Sequence, residues 1–482
     1  MRWAIPGAAL LLAGCIAGPN YQRPRATVPE RFAEAGTENG QSDIDLASWW
    51  KAFGDAQLND LIDRALAQNL DVEAAAARIS EARARERVAG SAAQPQVDAR
   101  ASVTRQRISE NAIPVPPGTG AQQGGALGLP GSEFTTWRPG FDASWEIDLF
   151  GKTRRSVEAA KARTGAATWN RRAVEVSVAA EVATTYFELR TLQARIANAE
   201  AELARQKRFE QVVAARARGG LVSGQDLEQQ ASEVSAAAAT LEALRGRAEV
   251  QLHALGVLTG DTPESLIHRL AAPRALPAAL AIPAGLPSDL LRRRPDIRSA
   301  ERELAASTAD IGVAVADLYP RFSLTAAPAL VSTALGSLLE WGSRSFSIGA
   351  AVSWPLFNGG RTRGNIAVAN ARQEQALIAY RKAILRALQD VEDSLSRTEA
   401  DRKQLAAFEE ALGRAGRAEE IARTRYHGGL VTYSDVLAAQ ARRLSLEVQV
   451  IDIKGALARD SAALFKAMGG GWPEMAEAGA AQ

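Results

Sequence analysis

The stretch Gly219-Gly220-Leu221-Val222, followed by Asp226, occurs again as Gly428-Gly429-Leu430-Val431, followed by Asp435, at an offset of 428 − 219 = 209 residues. Each occurrence ends a long proline-free run, 152–218 and 361–427, that is rich in Ala, Glu, Arg, Gln and Leu. Such runs predict helices of about 100 Å. A glycine after a helix caps its end, and an aspartate near the start of the next helix complements the helix dipole. Each copy is therefore predicted to contain a very long helical hairpin with the Gly-Gly-Leu-Val turn at its tip.

A second pair of segments indicates that the whole unit is duplicated. Asn69-Leu70-Asp71-Val72, leading to Pro95, corresponds in outline to Arg294-Pro295-Asp296-Ile297, leading to Pro320, at an offset of 320 − 95 = 225 residues. The two offsets differ by 225 − 209 = 16, and this difference falls in the Pro- and Gly-rich segment 109–133. We therefore predict two copies of one unit, the first with an enlarged loop. Such a duplication favours an assembled or solenoid-like architecture over one globular catalytic core.

Alternating apolar residues predict one strand hairpin in each copy. The stronger strands carry these residues at Phe141, Ala143, Trp145, Ile147 and Leu149, and at Phe346, Ile348, Ala350, Val352, Trp354 and Leu356. Their weaker partners carry them at Val97, Ala99, Ala101 and Val103, and at Phe322, Leu324 and Ala326. A period of two predicts a strand with one apolar face, and these lengths suit the ~9–11 residues of a tilted transmembrane strand. A soluble β-sandwich would show the same alternation and is the alternative.

The number of strands predicts an oligomer. After the N-terminus no uninterrupted apolar segment reaches the roughly 18 residues of a transmembrane helix, so a membrane crossing would have to use strands. Two hairpins give four strands, and the smallest membrane barrels have about eight. Because open strand edges in lipid would leave backbone groups unsatisfied, the chain is expected to oligomerise. Three copies would supply twelve strands.

The N-terminus predicts a lipidated export signal. Met1-Arg2 precedes the apolar stretch 3–13, which is too short to span a bilayer of ~20 helical residues. The following Leu-Ala-Gly-Cys, which ends at Cys15, resembles the bacterial lipobox and implies cleavage before Cys15 and acylation of that residue. A plain signal peptide with an incidental cysteine is the alternative. Because Ile16 rather than an acidic residue follows Cys15, we expect the outer membrane as the location.

Composition and charge argue against several other classes of protein. The chain has 57 basic and 55 acidic residues, so it offers no long-range positive field to nucleic acid. Cys15 is the only cysteine, which excludes an internal disulfide and any multi-cysteine metal motif. The three histidines are scattered, and Gly359-Gly360 lacks both the Walker lysine and the G-x-G-x-x-G spacing. We expect no catalytic activity, no metal and no cofactor other than a covalent lipid on Cys15.

From end to end, the chain resembles the TolC-like outer-membrane efflux factors, most closely the efflux lipoproteins of the OprM and NodT type. The motifs that carry this resemblance are Gly18-Pro19-Asn20-Tyr21, Trp49-Trp50, Phe53-Gly54-Asp55, Asp148-Leu149-Phe150-Gly151, the run 286–297, Ile311-Gly312-Val313, the run 355–361, Asp435-Val436-Leu437 and Gly469-Gly470-Gly471-Trp472. The resemblance implies an α+β membrane protein. It would be a homotrimer with a twelve-stranded β-barrel, four strands per chain, continued by a long α-helical barrel, with a mixed equatorial region. It also implies a periplasmic adaptor (membrane fusion) protein and an inner-membrane pump, usually proton-driven, as partners.

Sequence pattern and resemblance together predict six parts in the chain. These are a lipoprotein signal peptide, 1–14; a lipidated segment and equatorial region, 15–55; a first repeat, 56–260; a linker and equatorial region, 261–288; a second repeat, 289–468; and a C-terminal tail, 469–482. In the first repeat a helix precedes the strand hairpin 97–149 and the helical hairpin 152–258. In the second repeat a helix precedes the strand hairpin 321–357 and the helical hairpin 361–468.

The resemblance also implies roles for individual residues. The tips that adaptors contact would comprise Gly219, Gly220, Leu221, Val222, Asp226, Gly428, Gly429, Leu430 and Val431. Asp435 matches a carboxylate that rings the periplasmic opening, and Tyr426 matches a tyrosine that holds the opening shut. A helix start for Asp435 and simple packing for Tyr426 are the alternatives. Because Ala438 stands where a second carboxylate would be, and Val431 where relatives carry a charge, we expect this gate to depend less on ionic links.

These features predict the outer-membrane channel of a tripartite efflux pump, a passive gated conduit that exports drugs or other toxic small molecules. Two other classes stay open. One is a channel for type I protein secretion, which the same fold would support. The other is a periplasm-spanning structural or adaptor lipoprotein, which would not need the strands.

Overall fold

The computed structural model describes residues 16–33, 44–109, 133–220, 222–278, 280 and 287–472, so Cys15 and Leu221 lie outside the described residues. In the first half the elements are α1 (Ala56–Gln68), α2 (Leu70–Ser91), β1 (Gln96–Arg107), β2 (Glu133–Ile147), α3 (Lys152–Arg218), α4 (Gly224–Leu258) and α5 (Ile267–Leu270). In the second half they are α6 (Pro287–Arg293), α7 (Pro295–Ala316), β3 (Arg321–Ala326), β4 (Ala329–Leu330), β5 (Arg344–Ser345), β6 (Ile348–Ser353), α8 (Arg361–His427) and α9 (Tyr433–Ala467). Short 3₁₀ helices occur at Leu46–Phe53, Pro263–Leu266, Leu335–Ser337 and Trp341–Ser343.

The lengths of corresponding helices confirm the internal duplication. The helices that precede the strands, α2 and α7, each contain 22 residues. The long helices α3 and α8 each contain 67 residues, with the ends that were predicted from the sequence. Their returning partners, α4 and α9, each contain 35 residues. The two copies therefore share one helical plan and differ mainly in their strands.

The strands form a single six-stranded antiparallel sheet in the described part of the chain, in the order β5-β4-β2-β3-β6, with β1 on the free side of β2. The first hairpin is the longer one, because β1 and β2 contain 12 and 15 residues. β2 pairs with β3 from Ala143↔Ala326 to Ile147↔Phe322, and with β4 at Gly140↔Ala329. The second hairpin therefore extends the first one into a continuous sheet.

The strand predicted to reach from Phe346 to Leu356 is shorter in the structure, where β6 covers only Ile348–Ser353. At its far end Pro355 has no backbone N–H to donate to a neighbouring strand. At its near end the ladder is interrupted, and Ala327 and Ser347 exchange backbone hydrogen bonds of 2.8 and 3.4 Å outside the named strands. Beyond this interruption the chain pairs again as β4 and β5. The prediction of four strands therefore missed this second, offset part of the hairpin.

The chain divides into two compact units. One contains the sheet and comprises the N-terminal residues up to 23 together with 81–164 and 302–377. The other comprises 24–80, 165–301 and 378–482 and contains the ends of the helical hairpins. In the second unit Trp49 stacks on Phe465 with ring centroids 4.9 Å apart, and Phe187 lies in the same core with no exposed surface. None of the described helices is both long and apolar enough to cross a membrane.

Candidate functional site

The two Gly-Gly-Leu-Val turns follow the ends of α3 and α8, as predicted. The second glycine of each turn is left-handed, with φ of 69° at Gly220 and 71° at Gly429. Their amides close the helix ends by donating to Ala217 O at 3.0 Å and to Tyr426 O at 3.1 Å. Only glycine adopts this backbone conformation without strain, which explains why it occurs at both tips.

Asp226 and Asp435 each complete a capping box at the start of the returning helix. Asp226 accepts hydrogen bonds from the backbone and hydroxyl of Ser223 at 3.1 and 3.0 Å. Asp435 accepts the equivalent bonds from Thr432 at 2.9 and 2.7 Å. The Thr432 hydroxyl and then the Thr432 amide lower the pKa of the exposed Asp435 carboxyl below its ordinary value. Within one chain, the two aspartates therefore cap the N-termini of α4 and α9.

Tyr426 lies in an aromatic and apolar cluster just inside the tips. It is 8% exposed and packs with Val213, Tyr433 and Val436, which are 0%, 5% and 1% exposed. The partly buried side chains around this cluster are Phe209, Val222, Leu227, Ala422, Val431 and Leu437. The Arg216 guanidinium lies 4.8 Å from the centre of the Tyr426 ring. The Tyr426 hydroxyl is buried and has no hydrogen-bond partner among the described residues, so within one chain its role is packing.

A buried polar network begins next to this cluster. The Tyr433 hydroxyl donates to Gln230 Oε1, and Gln230 Nε2 donates to Gln206 O at 3.0 Å and Oε1 at 2.8 Å. Gln206 Nε2 in turn donates to Glu202 Oε1 at 2.8 Å. The hydrogen-bonded residues Glu202, Gln206 and Gln230 are 6%, 5% and 0% exposed. A chain of hydrogen bonds therefore runs from α9 through α4 to α3.

Arg443 on α9 is the centre of the charged half of this network. Its guanidinium pairs with Glu202 of α3 at 3.3 Å, and with Glu419 of α8 and Glu447 of α9 at shorter distances. Gln440 also donates to Glu202 Oε1. Two further arginines, Arg205 and Arg423, pair with Glu202 and Glu419 at 2.8 and 2.7 Å. The network therefore joins all four helices of the two hairpins, and its carboxylates are matched by guanidinium groups.

The network distinguishes one copy of the duplication from the other. At the offset of 209 residues, Glu202 corresponds to Ala411, Gln206 to Ala415 and Gln230 to Ala439. In the opposite direction, Gln440 corresponds to Ala231 and Arg443 to Val234. Each of these five polar residues thus has a small apolar counterpart. The network was not predicted from the sequence; its signal there is the change from apolar to polar residues at corresponding positions of the two repeats.

The sheet has one apolar and one polar face. The register pairs Ala99 with Phe141, and Val103 with Trp137, on the apolar face. The same face continues through Trp145↔Leu324 and Ala326↔Ile348. These side chains are not covered by a second sheet: Phe141 is 55%, Ile348 80% and Val352 62% exposed. The alternative of a soluble sandwich is therefore contradicted in the described part of the chain.

The opposite face of the sheet carries polar and charged residues. The pairs Asp98↔Asp142, Ser102↔Arg138 and Ser144↔Thr325 lie on this face. Arg100 and Asp142 form an ion pair of 3.0 Å there. Such a sheet suits a boundary between hydrocarbon on one side and water on the other.

The residues that follow Cys15 are fixed against the start of α3. Ala17 N donates to Phe150 O at 3.0 Å, and Arg155 Nε donates to Ala17 O at 3.0 Å. Arg155 Nη2 also donates to Asn20 Oδ1 at 2.6 Å. Arg155 is 3% exposed, so a buried guanidinium holds Ala17 and Asn20, which lie two and five residues after Cys15.

Comparison with known proteins agrees with this geometry. The family described as outer membrane efflux protein matches residues 61–261 and 286–470. The solvent efflux pump outer membrane protein SrpC of Pseudomonas putida is 32% identical over 96% of this chain and 97% of its own length. The cation efflux system protein CusC of Escherichia coli O6:H1 is 30% identical over 97% of this chain and 98% of its own length.

Solved structures show the same fold. The outer-membrane channel OprN superposes with a TM-score of 0.85 at 32% identity, covering 95% of this chain and 100% of that one. The Campylobacter jejuni CmeC outer membrane channel superposes with a TM-score of 0.86 at 26% identity, covering 95% and 96%. The fold is therefore that of the TolC-like outer-membrane channels.

The chain belongs to the outer membrane efflux protein family. The predicted fold class, location in the outer membrane and function as the outer-membrane component of an efflux pump are confirmed. The family consists of channel components rather than enzymes. The alternative of a periplasmic adaptor is therefore wrong.

Proposed function

We propose that three copies of this chain form a passive channel that releases small toxic compounds across the outer membrane. The observation that carries this proposal is the sheet with an exposed apolar face and a charged opposite face. In the described sheet one chain leaves β1 open at one edge and β6 together with β5 open at the other, which lipid would not tolerate. Pairing β1 of one copy with β6 and β5 of the next would satisfy both edges, and three copies with four main strands each would close a twelve-stranded barrel.

We further propose that the two tips dock a periplasmic adaptor protein, which connects the channel to an inner-membrane, proton-driven pump. Leu430 is an apolar side chain at the very tip and is 77% exposed. A Cβ at Gly220 or Gly429 would meet no atom within 4 Å, so the backbone of each turn is open to a partner. Exposed apolar groups next to accessible backbone are suited to close protein contact.

The gate, in our proposal, is held shut by the buried polar network more than by links at the tip. Val431 packs into the apolar cluster, and Ala438 supplies no carboxylate. If opening moves α9 away from α3, the pairs that join Arg443 and Gln440 to Glu202 must break. Separating these helices would lose this ion pair and this hydrogen bond between α9 and α3, and the buried hydrogen bonds around them favour the closed arrangement. Tyr426 would support this arrangement by packing, and Asp435, which is exposed, would line the opening.

Anchoring of the channel, we propose, includes acylation of Cys15. The support is the Leu-Ala-Gly-Cys sequence together with the fixed segment that Arg155 holds. The covalent lipid would be the only non-protein group, and the chain itself would perform no catalysis. The energy for export would come from the pump partner.

The proposed function is tested by deletion of the gene and by reconstitution of the purified protein. Cells that lack the chain should become several-fold more sensitive to a panel of toxic compounds, and the native gene should restore resistance. Purified trimers should conduct ions in a planar bilayer. A chain that stays monomeric in lipid, or trimers that never conduct, would contradict the proposal. Loss of a secreted protein without a change in sensitivity would favour a secretion channel instead.

A further inference from the structure

Two neighbouring rows of side chains on the apolar face of the sheet form a groove across four strands. The first row consists of two strand pairs, Ala101 with Pro139 and Leu330 with Arg344. The second row, two residues further along each strand, contains Ala99, Phe141, Pro328 and Phe346. Because Gly140 pairs with Ala329, Leu330 lies beside Pro139 and completes the first row. The groove residues whose side chains lie on this face are Ala99, Ala101, Pro139, Phe141, Pro328, Leu330, Arg344 and Phe346. We name this feature the sheet groove.

The sheet groove has a floor of small side chains and walls of aromatic ones. Ala99 and Ala101 provide the floor, while Phe141 and Phe346 stand 55% and 77% exposed beside it. Its volume is about 650 Å³. The hydrogen-bond ladder of the second hairpin is interrupted at Ser347, so that β5 is offset from β6. This offset places Phe346 next to the groove. The groove therefore arises from the departure of the second hairpin from a regular ladder.

Arg344 places a charged side chain on the same face as the groove, whereas Arg100, which also lines the groove, directs its side chain to the opposite face and pairs with Asp142. The Arg344 guanidinium stacks on the Trp341 ring, and its Nε donates to Trp341 O at 2.7 Å. Among the described residues no carboxylate pairs with Arg344. A charge on the lipid-facing side of a membrane sheet is unfavourable unless it reaches the interface or meets an anion. Since no described carboxylate offers the opposite charge, an anion bound at the groove would supply it.

The position of Arg344 indicates the leaflet. Arg344 lies in the same row of side chains as Pro139 of β2. Along β2, Pro139 lies between Trp137 and Trp145 and is nearer to Trp137. Beyond Trp137 lie the ion pair of Arg105 with Glu133 and the ends of β1 and β2, which residues 108–132 connect in the sequence. Connections of this length in outer-membrane barrels are extracellular. Arg344 therefore points to the outer leaflet, where lipopolysaccharide supplies phosphate groups on a lipid with several acyl chains.

We propose that the sheet groove binds an acyl chain of a phosphorylated outer-leaflet glycolipid, lipid A, while Arg344 pairs with its phosphate. This inference rests on the proposed membrane-spanning role of the sheet. The aromatic walls would hold the acyl chain by apolar contact. The guanidinium would supply a charge-assisted, bidentate contact to the phosphate.

Native mass spectrometry of purified trimers, with lipid A or phosphatidylglycerol added separately, tests the proposal. Native trimers should bind lipid A at least several-fold more strongly than phosphatidylglycerol. Ala101→Trp, which fills the groove floor, should reduce bound lipid A about tenfold, and Arg344→Gln should reduce it several-fold. Ala350→Trp adds the same bulk to the same face outside the groove and should leave binding unchanged.

Several results would overturn the proposal. Equal binding of lipid A to native, Ala101→Trp and Arg344→Gln trimers would remove the groove as the site. Preferred binding of phosphatidylglycerol would reject the glycolipid, and a cross-link from Phe346→Cys to a neighbouring copy would show that protein fills the groove. The conductance of the same trimers is measured in parallel. Trimers that conduct but bind no lipid A would refute this inference alone, whereas trimers that never conduct would refute the proposed channel.

Discussion

The hydroxyl of Tyr433, at the start of α9, donates a hydrogen bond to Oε1 of Gln230 on α4, and both side chains are buried. This contact joins the two helical hairpins, which derive from the two copies of the duplicated unit. In each case the repeat counterpart cannot make the bond, because Gly224 corresponds to Tyr433 and Ala439 to Gln230. The copies have therefore diverged at the positions where they now contact each other.

Tyr433→Phe should make the helical tips less sensitive to alkaline pH. Burial, with the charge of Glu233 as the next cause, raises the pKa of Tyr433 above its ordinary value of 10.0. Above pH 10 the unfolded chain then loses this proton before the folded one, so stability falls as the pH rises. Thermal unfolding of native trimers from pH 8 to 11 should show this fall, and the variant should show less of it. At pH 8 the variant should be destabilised by about 1 kcal/mol through the lost hydrogen bond. Identical pH profiles would contradict the assignment.

Gly429→Ala should weaken adaptor docking, whereas Gly428→Ala should not. Gly429 is left-handed, and alanine there costs about 1–2 kcal/mol, while Gly428 has no positive φ. Cross-linking to the adaptor and resistance to toxic compounds should both decline in Gly429→Ala, with trimers still present in the outer membrane. Gly429→Trp should abolish both readouts. Full resistance with normal cross-linking in Gly429→Trp would show that the tip is not the docking site.

Acylation of Cys15 should be visible in the intact mass of the purified protein. The mass is expected to exceed that of the chain from Cys15 onward by several acyl groups, and Cys15→Ser should remove this excess. Cys15→Ser trimers should still conduct in part, because the strands themselves insert. Arg155→Met keeps most of the apolar stem but removes the contacts to Ala17 and Asn20, so it should expose the N-terminal segment to protease while leaving acylation intact. An unmodified native mass would reject the anchor.

Asp435→Asn should abolish block of the channel by a trivalent cation. The hydrogen bonds of Thr432 lower the pKa of Asp435, so its carboxylate stays ionised at neutral pH. Three such carboxylates around an opening would bind a multivalent cation added from the periplasmic side. Asp226→Asn provides the matched control, because Asp226 completes the equivalent capping box in the other copy. Unchanged block in Asp435→Asn would remove this residue from the opening.

Much of the fold is predictable from the sequence because its signals are local and periodic. The runs 152–218 and 361–427 became α3 and α8 with the predicted ends, since glycine, proline and composition determine helix boundaries. The apolar face of the first hairpin follows from strict alternation. The second hairpin departs from its prediction at Pro328 and Ser347, where an interruption of the ladder depends on pairing with β2 rather than on local pattern.

The polar network could not be predicted from a local pattern. A glutamine or glutamate on a long helix, such as Gln206 or Glu202, is predicted to be exposed to solvent, because most residues of these types are exposed. The burial of Glu202 depends on which helix packs against it. Its partners Gln440 and Arg443 lie more than 200 residues away along the chain. The capping roles of Asp226 and Asp435, by contrast, involve residues three positions apart and were predictable.

The most direct test exchanges the five network residues that have apolar repeat counterparts for those counterparts. The variant combines Glu202→Ala, Gln206→Ala, Gln230→Ala, Gln440→Ala and Arg443→Val, and its control carries Glu200→Ala, Gln229→Ala and Arg442→Val on exposed positions of the same helices. Gln440→Ala alone, which removes no charge, is included in case the combined variant fails to assemble. Single-channel conductance in a planar bilayer is the measurement. We predict a resting conductance several-fold above native for the combined variant, a smaller rise for Gln440→Ala and no change for the control. A resting conductance equal to native in both network variants would contradict the claim that this network holds the channel closed.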